Sequence, residues 1–102
     1  MSLTLRGAQY LCWKTFKKLG TKYAKRSKAS ELATDLVKKA SEIADRIRNL
    51  EDSAGDPAGE ESLRKLFSEL LYVTFVLAEQ YGVNLEESFL QTIDEYILGF
   101  VK

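Results

Sequence analysis

The chain has 102 residues, 45% of them hydrophobic and 29% charged, with fifteen basic and fifteen acidic side chains; this is ordinary for one globular domain, long enough for a core but short enough to be marginal alone. A single cysteine, Cys12, and no histidine exclude an internal disulfide framework, a zinc-finger pattern and any Ser-His or Cys-His nucleophile system. Arg6, Lys14 and Lys17 interrupt the first apolar residues and no run approaches the roughly 18 apolar residues of a membrane span, so a soluble cytoplasmic protein without signal peptide or membrane anchor is expected.

The net charge is zero, but its distribution is uneven. Residues 1–28 hold eight Lys or Arg and no acid, residues 29–50 hold four of each sign, and residues 51–102 hold eleven acids against three bases. A basic first helix docked against acidic neighbours, or simply solvated, accounts for this better than nucleic-acid binding, which usually needs a domain-wide basic excess. A narrower reading has some of these lysines line a pocket for an anionic ligand.

In the first segment Leu5, Ala8, Cys12, Phe16, Leu19 and Tyr23 recur at spacings of three and four, with Arg6, Lys14, Lys17 and Lys18 elsewhere. The pattern predicts an amphipathic helix over about 4–25. Gly20 leaves its end open, since a mid-helix glycine costs only about 1 kcal/mol relative to alanine. Trp13, at the edge of the stripe, reads as a packing or interface anchor rather than a platform for stacking bases. The second segment places Leu32, Leu36, Ala40, Ile43, Ile47 and Leu50 on one stripe and predicts a helix over 30–50, with Ser30 as its N-cap.

Residues 51–59 have no apolar period and contain the only proline, so they read as a surface connection. Asp56 then Pro57 signals a helix start, because the missing N–H of proline costs nothing at the first helical position. Leu63, Leu66, Phe67, Leu70, Val73 and Leu77 share a face, Phe75 and Val76 widen it, and Gly82 marks the stop. Residues 71–77 also suit a buried strand by propensity, but the upstream spacing and the absence of a turn signal favour a helix over 57–81. Asn84-Leu85-Glu86-Glu87 resembles a capping box and opens a last helix over 85–101, whose apolar face is Phe89, Ile93, Tyr96, Ile97 and Phe100. With no internal repeat or low-complexity tract, the expectation is one all-α domain over 1–102.

From Leu70 to Ala78 only Thr74 is strongly polar. A helix hydrophobic nearly all round must be covered on all sides, and three short partners in so small a chain hardly enclose it. The expected cover is a second subunit, in a homodimer or a dimer of dimers centred on Tyr72, Val73, Phe75 and Val76.

Carboxylates projecting from facing helices of a bundle are a recurrent way to hold a divalent metal. The second helix carries Glu31, Asp35, Glu42 and Asp45 on one face, and Glu69 is the only charge amid the apolar surface of the third. Burying Glu69 is expensive unless it meets a cation or a donor; Lys38, Lys39 and Lys65 are the candidate partners. Glu31 and Asp35 read as solvated, whereas Glu42 and Glu69 suit either a metal or an ordinary ion pair.

Two stretches carry a family resemblance, which runs from about Ala29 to Glu95. Glu69-Leu-Leu-Tyr-Val-Thr-Phe-Val-Leu-Ala-Glu-Gln-Tyr-Gly82-Val-Asn-Leu-Glu-Glu87, and more loosely Leu36-Val-Lys-Lys-Ala-Ser-Glu42-Ile-Ala-Asp45, resemble the MazG-like, all-α nucleoside triphosphate pyrophosphohydrolases. The shared features are an acidic residue, an apolar helix, an Ala-Glu-x-x-Gly stop and a Leu-Glu-Glu start. The resemblance implies a four-helix MazG-like bundle and a magnesium-dependent hydrolase that converts a nucleoside triphosphate to monophosphate and pyrophosphate. It assigns Glu42 and Glu69 as catalytic and metal-binding carboxylates, with Asp45 as a third ligand. The family's paired glutamates fall on Lys38 and Lys39 and the first acid of its Glu-x-x-Asp motif on Leu66, so these two lysines are candidates for direct contact with nucleotide phosphates. The alternative from a different class is a non-catalytic helical oligomer that serves as an interaction or nucleotide-binding module.

Overall fold

A computed structural model describes residues 3–23, 28–52 and 57–101. Four helices follow one another: α1 (Leu5–Tyr23), α2 (Ala29–Asp52), α3 (Pro57–Gln80) and α4 (Leu85–Val101). Among the described residues there is no strand, and no helix is long and apolar enough to cross a membrane. The three-four spacing thus located all four elements, and the stretch at 71–77 is helical. Helix α1 runs through Gly20.

Local chemistry sets the ends. Thr4 caps α1, its Oγ1 accepting from the Gly7 N–H at 2.9 Å. Helix α2 starts one residue ahead of expectation: the Leu32 N–H bonds the Lys28 carbonyl, so Lys28 holds the cap position and Ser30 lies inside the first turn. Pro57 begins α3, and Asp56, its expected cap, lies outside the described residues. The stop of α3 is a Schellman motif: Val83 N–H bonds the Ala78 carbonyl, Gly82 N–H bonds the Glu79 carbonyl, and Gly82 takes φ +67°, a left-handed conformation open to glycine without penalty. Asn84 then caps α4, its Oδ1 accepting from Glu86 and Glu87 N–H.

The core lies where α1 and α2 both pack on α3. Leu32, Val73 and Val76 form its buried centre, with Cys12, Trp13, Phe16, Leu36, Tyr72 and Leu77 against it. Trp13 stacks on Phe16, ring centroids 6.0 Å apart, which fits its reading as a packing anchor. The expectation for α3 needs correction at this point. Val73, Phe75 and Val76, placed above at the centre of an oligomer, are already buried by their own chain, because α1 and α2 cover that face together.

Helix α4 is held differently, by a polar clamp at its base. Gln9 of α1 is fully buried. Its Nε2 donates to the Val83 carbonyl at 2.7 Å and to Glu79 Oε2 at 2.9 Å, and its Oε1 accepts from the Leu85 N–H at 3.0 Å. Around this carboxamide, Arg6 pairs with Glu79 at 3.2 Å, and the Arg6 N–H, an unpaired donor of the first turn of α1, is answered by Glu86 Oε1 at 3.3 Å. Removing a partner strands buried groups at a cost of about 1–3 kcal/mol. Gln9→Ala is therefore expected to lower the unfolding free energy by at least about 1 kcal/mol, read as a lower urea midpoint; an unchanged midpoint would show that the clamp is energetically idle.

Candidate functional site

Two features stand out: the polar seam between α2 and α3, and an apolar surface left bare around α4. In the seam, Lys39 Nζ lies 2.8 Å from Glu69 Oε2, the side chains 19% and 36% exposed. Of the three lysines that the sequence offered to Glu69, the fold selects Lys39. The bond to the Lys39 ammonium holds the Glu69 carboxyl below its ordinary value, against the opposing effect of partial burial and with help from the charges of Lys39 and Lys65. The same bond raises Lys39, and the charges of Glu69, Asp35 and Glu42 add to it.

The other sequence-derived candidates are dispersed. Lys38 and Glu31 are exposed, and Asp35 is half-buried on the same helix. Glu42 and Asp45 line one polar cleft of about 320 Å³ with Arg46 and Asn49. Asp45 is engaged locally by Arg48 at 2.8 Å. Among the described residues no three or more Cys, Asp or Glu side chains come together in a group able to hold a metal ion. Magnesium prefers near-octahedral oxygen ligation, and Glu69 already carries an ammonium.

The bare surface is larger. The chain exposes 8058 Å², against about 5,800 Å² for a compact folded chain of this mass. Its radius of gyration is 16.3 Å, where about 13 Å is usual for this length. Helix α4 packs chiefly on α1. Phe89, Leu90, Tyr96, Ile97 and Leu98 are all more than half exposed, as are Leu71 of α3 and Leu11 of α1. Of the expected apolar stripe of α4, Phe89, Tyr96 and Ile97 are exposed and Ile93 is half-buried, while the side chain of Phe100 lies outside the described residues. The sequence held a sign of this: Leu98 falls off that stripe and Leu90 widens its edge, giving α4 more apolar surface than one packed face uses.

Two apolar grooves flank Leu71 and Phe75. One, of about 260 Å³, lies between Leu5, Thr74, Leu85 and Phe89; the other, of about 240 Å³, runs between Leu3, Ala8, Leu11 and Cys12 of the α1 side and Ser68 and Tyr72 of α3. Compared with protein-family models, curated proteins and solved structures, the chain matches none.

The seam makes a pH-dependent contribution of known sign. Because folding lowers Glu69, its share is fully present above the ordinary glutamate value of about 4.3 and is lost as pH falls through the lowered one; because folding raises Lys39, the alkaline loss comes only as pH rises through the raised value. A partly exposed pair contributes about 0.2–1 kcal/mol. Glu69→Gln should therefore be destabilising by less than about 1 kcal/mol at pH 7, and urea titration at pH 3 should find that difference reduced; a difference of equal size at both pH values would remove the ion pair as its cause.

Proposed function

We propose that this chain is a self-associating helical domain, an interaction module of MazG-like shape that works as an oligomer. The observation that carries this reading is the uncovered apolar face. The surface in excess of a compact chain, about 2,200 Å², is more than the roughly 800 Å² per partner of a standard interface and reaches the range of obligate homodimers. Contiguous exposed apolar patches of this kind mark association sites in folded proteins. On this reading Lys39–Glu69 neutralises the α2–α3 seam, and assembly covers α4.

The test is the mass in solution. Static light scattering at micromolar concentration should give at least twice the 11.6 kDa of one chain, and Ile97→Asp should return it to one chain without loss of helicity. A monodisperse 11.6 kDa species for the unaltered chain would overturn the reading.

One observation favours a second reading: Glu42 and Asp45 share a cleft with Arg46. It keeps a nucleoside triphosphate pyrophosphohydrolase of the MazG-like type as the alternative, with Lys38 and Lys39 beside the phosphates. Incubation with a panel of canonical and modified nucleotides and magnesium or manganese should release pyrophosphate if this is right, and Glu42→Gln should abolish the release while the helices persist. No turnover across the panel would eliminate it.

A further inference from the structure

Helix α4 is fixed only at its base, by Gln9, Asn84 and Arg6; Thr92 and Ile93 are half-buried, but residues 87–91 and every residue from Asp94 to Gly99 are exposed. Tyr96, Ile97 and Leu98 stand 66%, 55% and 63% exposed. The same chain holds an empty apolar groove between α1 and α3, with Leu11 and Leu71 on its walls and Cys12 in its lining. A ridge without a groove and a groove without a ridge are therefore present in one molecule.

Their charges are opposite. Helix α4 has Glu86, Glu87, Asp94 and Glu95 and no Lys or Arg. On the helices that line the groove, Lys14 and Lys18 of α1 follow Leu11 by one and two turns, and Arg64 and Lys65 of α3 precede Ser68 by one turn; all four are exposed. Apolar contact at the centre with opposite charges at the rim is the usual anatomy of an interface.

Resting on the self-association reading above, we infer that the partner is a second copy of this chain, and that the two copies exchange helices. Each lays the outer half of its α4 in the α1–α3 groove of the other. An isologous contact of this kind is made twice by one twofold axis and closes, leaving no further groove to recruit a third copy. The exposed surface supports it: two tails and two grooves are covered together, and the excess of about 2,200 Å² per chain accommodates both halves of such an interface. No described residue of the chain's own α4 lines this groove.

Cys12, the only cysteine, lies in the groove lining and serves as a built-in reporter. Ile97→Cys, Leu98→Cys and Gly99→Cys are made singly, so that the positions scan about one helical turn; a Cβ at Gly99 meets open space. Each variant is oxidised at low micromolar concentration and mildly alkaline pH, since burial pushes the Cys12 thiol up. At least one should give a covalent dimer on a non-reducing gel, with mass spectrometry of the digest showing a disulfide from Cys12 to the introduced thiol. Adding Cys12→Ala should remove that bridge. A bridge requires Cβ atoms about 3.5–4.5 Å apart, so random collision does not produce it efficiently.

A parallel arm uses charge. Asp94→Lys with Glu95→Lys should weaken the dimer at least tenfold by light scattering, and Lys14→Glu with Lys18→Glu in the same chain should recover most of the loss. If the chain is dimeric but no variant bridges to Cys12 and the charge reversals do not compensate, the helix exchange is overturned while self-association stands. If the unaltered chain is monomeric, both fall.

Discussion

The Gln9 carboxamide is saturated by groups of the α3–α4 turn: both N–H bonds are donated, and its oxygen takes the first amide of α4. A fully buried amide has no water to turn to, so its geometry is costly to alter. The turn it grips is already constrained by Gly82 in the left-handed region and by the paired carbonyls of Ala78 and Glu79. Together these bonds leave α4 one direction of departure. Everything distinctive about the surface follows from that direction, since a helix set down along α3 would have covered Leu71 and buried its own Phe89 and Ile97.

Helix α4 is thereby held by polar bonds at one end and given little apolar contact at the other. Fully burying a leucine, isoleucine or phenylalanine contributes about 1.5–3 kcal/mol, so leaving Tyr96, Ile97 and Leu98 in water forgoes several kcal/mol in a domain whose whole stability is typically about 5–15. On the self-association proposed above, that loss would be recovered between molecules, which would couple the stability of α4 to protomer concentration. Opposite charges already act in cis, where Arg6 of α1 pairs with Glu79 of α3, and in the proposed exchange the basic α1 and the acidic α4 would attract in trans.

How far the sequence foretold this varies with the range of the interaction. Helix positions followed from three-four periodicity, which is local. The cap of α2 was misplaced at Ser30 because a favourable cap residue competes only weakly with a helix that starts earlier, at Ala29, and moves the cap two residues back to Lys28. The partner of Glu69 was confined to three lysines by spacing, and only the packing of α2 on α3 chose Lys39. The uncovered face was expected on Tyr72, Val73, Phe75 and Val76, where apolar density is highest, and of these Tyr72 alone is not buried. It lies on α4 instead, because which helix faces which is a long-range matter that hydrophobicity does not encode. Gln9 itself was legible in hindsight: it stands four residues after Leu5 and three before Cys12, a polar side chain in the register of the buried stripe, and a polar group at such a position implies a partner network.

The α2–α3 seam and the α4 surface differ in what they leave unsatisfied. In the seam an ammonium sits on a carboxylate, with Asp35 and Glu42 nearby adding to its field. An ammonium between two helices does part of what a bridging divalent ion does, drawing together acidic groups that would otherwise repel, with one charge and three donors instead of six ligand positions. Lys39 supplies the counter-charge from within the chain, so the two helices can pack at Glu69 on the strength of their own residues. The apolar surface has no such internal remedy. Its demand is met only by covering it, and that asymmetry is why we propose the outer half of α4, more than the carboxylates between the helices, as the place where this fold meets a partner.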